Sequence, residues 1–79
     1  MDKFLVEIPL DAYLRCLARL DEKSPRYRLL KNAILLYGNS SKPVVHLRCD
    51  ADRVKLIKSL FWHECPEFLD RLRYYPDRP

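Results

Sequence analysis

Two stretches about forty residues apart carry the same junction. FLVEIPLDAY (residues 4–13) alternates apolar and polar side chains and then passes through a proline into helical spacing. VVHLRCDADR (residues 44–53) alternates likewise and enters a helix through an aspartate. Period-two alternation marks a strand with one buried face, and spacings of three and four mark an amphipathic helix. A 79-residue chain that turns from strand to helix twice holds two small units of one plan. Neither has enough apolar surface to stand alone. The expected class is α+β, a single domain over residues 1–79, with half-units 1–38 and 43–75, a loop at 39–42 and a tail at 76–79.

In the first half, Phe4, Val6 and Ile8 point one way and Lys3, Leu5 and Glu7 the other. Pro9 has no amide hydrogen for a ladder, so it ends the strand and opens a helix striped by Leu10, Tyr13, Leu14, Leu17 and Leu20. Ser24 as N-cap, Pro25 at the first helical position and the stripe Tyr27, Leu30, Ile34, Tyr37 predict a second helix, stopped at Gly38. In the second half, Val45, Leu47 and Cys49 oppose Val44, His46 and Arg48. Asp50 then caps a helix through Val54, Ile57, Leu60 and Phe61. Pro66 opens a last short helix carrying Phe68, Leu69, Leu72 and Tyr75. The expected topology is βααβαα, a two-stranded ribbon with four helices. It would be either a pseudo-twofold single chain or a dimer with a larger sheet.

Composition removes several function classes. One glycine argues against a glycine-rich phosphate loop. No apolar run approaches the roughly 18 residues that span a bilayer. The start, MDKFLVEIPLD, has acids where a secretory signal needs an apolar stretch. Cys16, Cys49 and Cys65 cannot all pair within one chain, so reduced thiols in a cytoplasmic protein are expected. The net charge of +4 is shared evenly: seven Lys or Arg against five acids in residues 1–40, and eight against six in 41–79. Such an excess permits nucleic-acid binding without demanding it.

The segments KFLVEIP, AYLRCLARL and SPRYRLLKNAILLY, with the pattern S-x5-L-x2-A-I-x2-Y, resemble the ribbon-helix-helix family of DNA-binding proteins over residues 3–38. The resemblance implies a cytoplasmic, dimeric transcriptional regulator or antitoxin without a cofactor. Its paired strands would enter the major groove of duplex DNA, and the start of its second helix would hold a phosphate. Carried over by position, the readers are Lys3, Leu5 and Glu7, joined by Arg48 of the second strand; the phosphate clamp is Ser24 and Arg26 with Arg28.

Leu5 is apolar and Glu7 is repelled by phosphate, which motivates an alternative from another class. In it the protein is a protein–protein interaction module, an adaptor or inhibitor. Its partner or second copy would meet the outward Leu5 and Val44, or the carboxyl-terminal patch of Arg71, Arg73 and Tyr74, near Tyr75 and Arg78. His63, Glu64 and Cys65 lack the paired spacing of a zinc site. No nucleophile–base pair or carboxylate pair is recognisable, so no catalytic residue, metal, cofactor, membrane or small-molecule substrate is expected.

Overall fold

The computed structural model describes residues 3–31, 33–36 and 43–77. Its elements in chain order are β1 (Lys3–Pro9), α1 (Leu10–Ala18), α2 (Pro25–Leu30), β2 (Ile34–Leu36), β3 (Val44–Cys49), α3 (Ala51–Glu64), a 3-10 helix (Pro66–Arg71) and β4 (Arg73–Asp77). The strands form one four-stranded sheet in the order β2-β3-β1-β4, every neighbouring pair antiparallel. The chain is α+β, but the two-stranded ribbon and the βααβαα order do not hold.

Two segments account for the difference. The helix expected from Ser24 to Gly38 ends at Leu30, and Ile34–Leu36 pairs with β3 as a strand, Leu35 opposite Val45. Gly38 and the loop 39–42 lie outside the described residues. The last helix is a 3-10 turn ending at Arg71, after which Arg73–Asp77 pairs with β1. The cause is the same in both. A two-stranded ribbon would leave the outer backbone edges of β3 and β1 unpaired. A helix of six residues has little stability of its own, so strand pairing overrides a helical stripe where it satisfies that edge.

The two halves keep one plan, each running strand, helix, proline-led short turn, strand. Pro25–Leu30 and Pro66–Arg71 are both six residues long and sit at a constant shift (66 − 25 = 41; 71 − 30 = 41). The strands of each half run parallel, separated by a strand of the other: β3 lies between β1 and β2, and β1 between β3 and β4. This is the interleaving of two split βαβ units, the ferredoxin-like arrangement. It replaces the pseudo-twofold ribbon. With β1 paired on both edges, no edge of it remains for a strand from a second copy.

The core lies between one face of the sheet and the helices. Val6, Ile8, Val45, Leu47 and Cys49 supply the sheet side; Ala12, Tyr13, Cys16, Leu30, Ile57, Leu60, Phe61, Phe68 and Leu72 supply the other. Tyr13 is buried within α1, and its hydroxyl donates to the Leu30 carbonyl at 2.7 Å, satisfying a terminal carbonyl of α2. Burial pushes the Tyr13 phenol pKa up. The two clearest helix starts are capped. Ser24 Oγ accepts from Tyr27 N at 3.2 Å, and Asp50 Oδ1 from Arg53 N at 2.8 Å. Asp50→Ala is expected to cost about 1 kcal/mol, the usual loss for a removed cap. A urea melt of the variant checks it; an unchanged midpoint would mean that the cap contributes nothing.

The open face of the sheet as candidate interaction site

Alternation divides the strands into two faces. With Val6, Ile8, Val45 and Leu47 in the core, the opposite face takes Lys3, Leu5, Glu7 and Pro9 from β1, Val44, His46 and Arg48 from β3, and Arg73 and Tyr75 from β4. No helix among the described residues packs on it. The register sets its rows: Arg48–Leu5–Tyr75, then His46–Glu7–Arg73, then Val44–Pro9.

A hydrogen-bonded trio occupies the centre. Glu7 Oε1 lies 3.2 Å from His46 Nε2, and Glu7 Oε2 accepts from the Tyr75 hydroxyl at 3.3 Å. One carboxylate thus ties three adjacent strands together, and both of its oxygens are engaged. The single acid at the middle of the face is offset by its neighbours. Around it stand half-buried Leu5 and Val44 and the cations Lys3, Arg48 and Arg73, with Asp77 opposite Lys3 in register.

Beyond Val44 the face runs into a groove of about 640 Å³ lined by Pro9, Leu10, Leu14, Pro43 and Val44. Leu14 belongs to the apolar stripe of α1 yet is 53% exposed, because Ala12, Tyr13 and Cys16 carry the buried side of that helix. The groove wall is braced by a fork: Arg71 Nη1 donates to Asp11 Oδ2 at 3.1 Å and Nη2 to Oδ1 at 3.2 Å. The Arg71 hydrogen bonds hold the Asp11 carboxyl pKa below its ordinary range. A second hollow of about 540 Å³ lies on the helix side, beside Trp62 and Leu69. There Lys58 Nζ sits 4.6 Å from the centre of the Tyr74 ring.

The residues singled out from sequence separate into two groups. Lys3, Leu5, Glu7, Val44, Arg48 and Arg73 come together on the open face. Ser24, Arg26 and Arg28 lie at the start of α2, in the helix layer. There Ser24 Oγ is committed to its cap and to the Asp21 carbonyl, and Arg26 Nη1 donates to Glu64 Oε1 at 2.7 Å. Arg71 is held by Asp11, and Tyr74 turns toward the helices opposite Val6. Arg78 lies outside the described residues.

Tyr75 is a member of the site that helical spacing concealed, whereas the alternation of β3 had already put His46 on its outward face. Reading RYYPD as a strand would have separated Tyr74 from Tyr75 onto opposite faces. Pro43 and Leu14 also escape sequence reasoning, because only tertiary packing brings them beside Val44.

The fold and face together define a class: a split-βαβ α+β module with helices on one side of its sheet and a mixed apolar and cationic surface on the other. The chain matches no protein-family model, no curated protein and no solved structure. Among the described residues no helix is long and apolar enough to cross a membrane.

Proposed function

We propose that the protein is a non-enzymatic protein-interaction module of the cytoplasm, an adaptor or inhibitor that engages its partner through the open face of the sheet. The observation that carries this is the side of the two central strands that no helix among the described residues covers, where Leu5 and Val44 stand among Lys3, Arg48 and Arg73 and continue into the Pro9–Leu14 groove. Apolar side chains set among charged and hydrogen-bonding ones on one open face fit a protein contact. Docking is face-on. The edge strands are guarded, β2 by its three-residue length and β4 by Pro76.

Leu5→Lys tests this. It places a second cation beside Arg48 on a side chain outside the core. Folding stability should stay within about 0.5 kcal/mol, while self-association or partner binding falls at least about tenfold. Leu56→Lys, at a 58% exposed leucine of α3, is the control and leaves binding intact. Light-scattering mass and titration against any captured partner read both variants. Retention of every association by Leu5→Lys removes the proposal.

A transcriptional-regulator or antitoxin reading, in the sense of the ribbon-helix-helix resemblance, draws on the same three cations. It predicts duplex binding that weakens steeply with salt. Two features favour a protein ligand instead. Glu7 lies in the middle of the face, and the outer strands of a four-stranded sheet stand about 14 Å apart. The major groove is about 12 Å wide and admits a two-stranded ribbon.

A further inference from the structure

The hollow on the helix side lies where three elements meet. Lys58, Ser59 and Trp62 of α3, Leu69 of the 3-10 helix and Tyr74 of β4 line it, and it shares no residue with the groove beside Val44. Lys58 and Trp62 are one helical turn apart, so α3 presents both on one side. Leu60 and Phe61 take the side toward the core, which leaves Trp62 62% exposed.

Four hydrogen-bond donors are set in this lining: the Lys58 ammonium, the Ser59 and Tyr74 hydroxyls and the Trp62 indole N–H. No carboxylate belongs to it; Asp70 adjoins Leu69 in the chain but does not line the hollow. No acceptor among the described residues takes any of the four donors, and Lys58 Nζ rests instead 4.6 Å from the centre of the Tyr74 ring. Burial raises the Tyr74 phenol pKa, so that hydroxyl stays protonated at neutral pH.

We propose that the hollow binds a small aromatic carboxylate, with its ring against Trp62 and Leu69 and its carboxylate on Lys58 and Ser59. Donors without an acceptor call for an anion, and an exposed indole beside a leucine and a tyrosine calls for a planar apolar body. The volume of about 540 Å³ falls within the range of small-molecule sites, about 300–1,000 Å³. The occupant carries one negative charge, because Lys58 is the one cation of the lining among the described residues. A nucleic-acid strand needs a row of cations along its phosphates, and Lys55, one turn earlier on α3, stands outside the lining. On binding, Lys58 exchanges an exposed contact with a ring for a charge-assisted hydrogen bond, the stronger of the two.

The test is a titration of the full chain with naphthoate, followed by two-dimensional amide NMR, with naphthamide as the uncharged counterpart. Trp62 is the single tryptophan, so its indole N–H gives one unambiguous signal. Naphthoate should move that signal and the Ser59 amide and saturate with a Kd of about 1 mM or lower. Replacing naphthoate by naphthamide, or Lys58 by glutamine (Lys58→Gln), should weaken binding at least about tenfold through loss of the charge-assisted contact. Trp62→Ala, whose exposed ring adds little to folding, should weaken it as much when read at Ser59. Lys55→Gln and Leu5→Lys should bind naphthoate as the parent does, which separates this site from the open face. Signals that stay still at about ten times the expected Kd would overturn the proposal. So would equal binding of naphthamide, or shifts centred away from α3, the 3-10 helix and β4. Single-stranded oligothymidylate that moves the same signals at a lower concentration than naphthoate would put a nucleic-acid strand in place of the small ligand and overturn it as well.

Discussion

Phe61→Ala is expected to leave the chain largely unfolded at 37 °C, whereas Trp62→Ala, one residue along, changes its stability little. The two aromatics share the last turns of α3, and helical rotation separates them. Phe61 is wholly buried with Ile57 and Leu60 against the sheet, while Trp62 is 62% exposed. Truncating a buried phenylalanine removes its transfer energy and leaves a cavity, at a cost of about 3–5 kcal/mol. For a domain of this size each kcal/mol is worth about 4–8 °C in Tm, so a fall of at least about 12 °C follows. The total stability of such a chain is about 4–12 kcal/mol, and one site can remove a large part of it. Thermal melts by circular dichroism of the two variants decide the matter. Equal losses would mean that α3 presents a different face to the sheet.

The same rotation explains why α3 was legible from sequence and the end of the first half was not. Asp50, Val54, Ile57, Leu60 and Phe61 form a long stripe with a cap at its start, and the α3 observed has the same cap and buries Ile57, Leu60 and Phe61. For β1 and β3, alternating valine, isoleucine and leucine gave the inward faces correctly. Tyr27, Leu30, Ile34 and Tyr37 also form a stripe, but helical spacing over eleven residues carries no information about an unpaired strand edge elsewhere in the chain. That edge is created only when Val44–Cys49 is laid beside Lys3–Pro9, a contact about forty residues distant. The segment 34–36 follows the nonlocal demand over the local pattern.

Site residues obey the same division. Leu5 and Val44 were visible as apolar side chains on outward strand positions, because alternation is local. The Glu7–His46–Tyr75 trio was not. It needs the register of three strands, one of them unrecognised, to bring residues 7, 46 and 75 into one row and its diagonal. The phosphate clamp imagined at Ser24 and Arg26 rests on a real local signal, a capped helix start. Tertiary structure gives that start other employment, since Glu64 of α3 takes the arginine. Local motifs therefore located the cap, and packing decided what was left for a ligand.

The sharpest difference between a helical and a stranded carboxyl end lies in a chain cut after Leu72. If residues 73–77 were the end of a short helix with a frayed tail, their removal would cost a few surface contacts. As β4 they pair with five residues of β1, from Lys3 opposite Asp77 to Glu7 opposite Arg73. Cross-strand pairs contribute about 0.2–1 kcal/mol each, so the ladder alone is worth about 1–5 kcal/mol. Tyr74, packed against the core beneath Lys58, and the Tyr75 bond to Glu7 go with it. The cut also turns β1, the strand that carries Val6 and Ile8, into an unprotected edge, and bare edges of this kind pair with other chains. The shortened protein is therefore expected to lose most of its cooperative thermal transition and to rise in light-scattering mass, while a chain cut after Asp77 melts as the parent does. A chain ending at Leu72 that stays monomeric and melts within about 4 °C of the parent, a loss of no more than about 1 kcal/mol, would show that β1 does not depend on β4, and the interleaved four-stranded sheet would have to be given up.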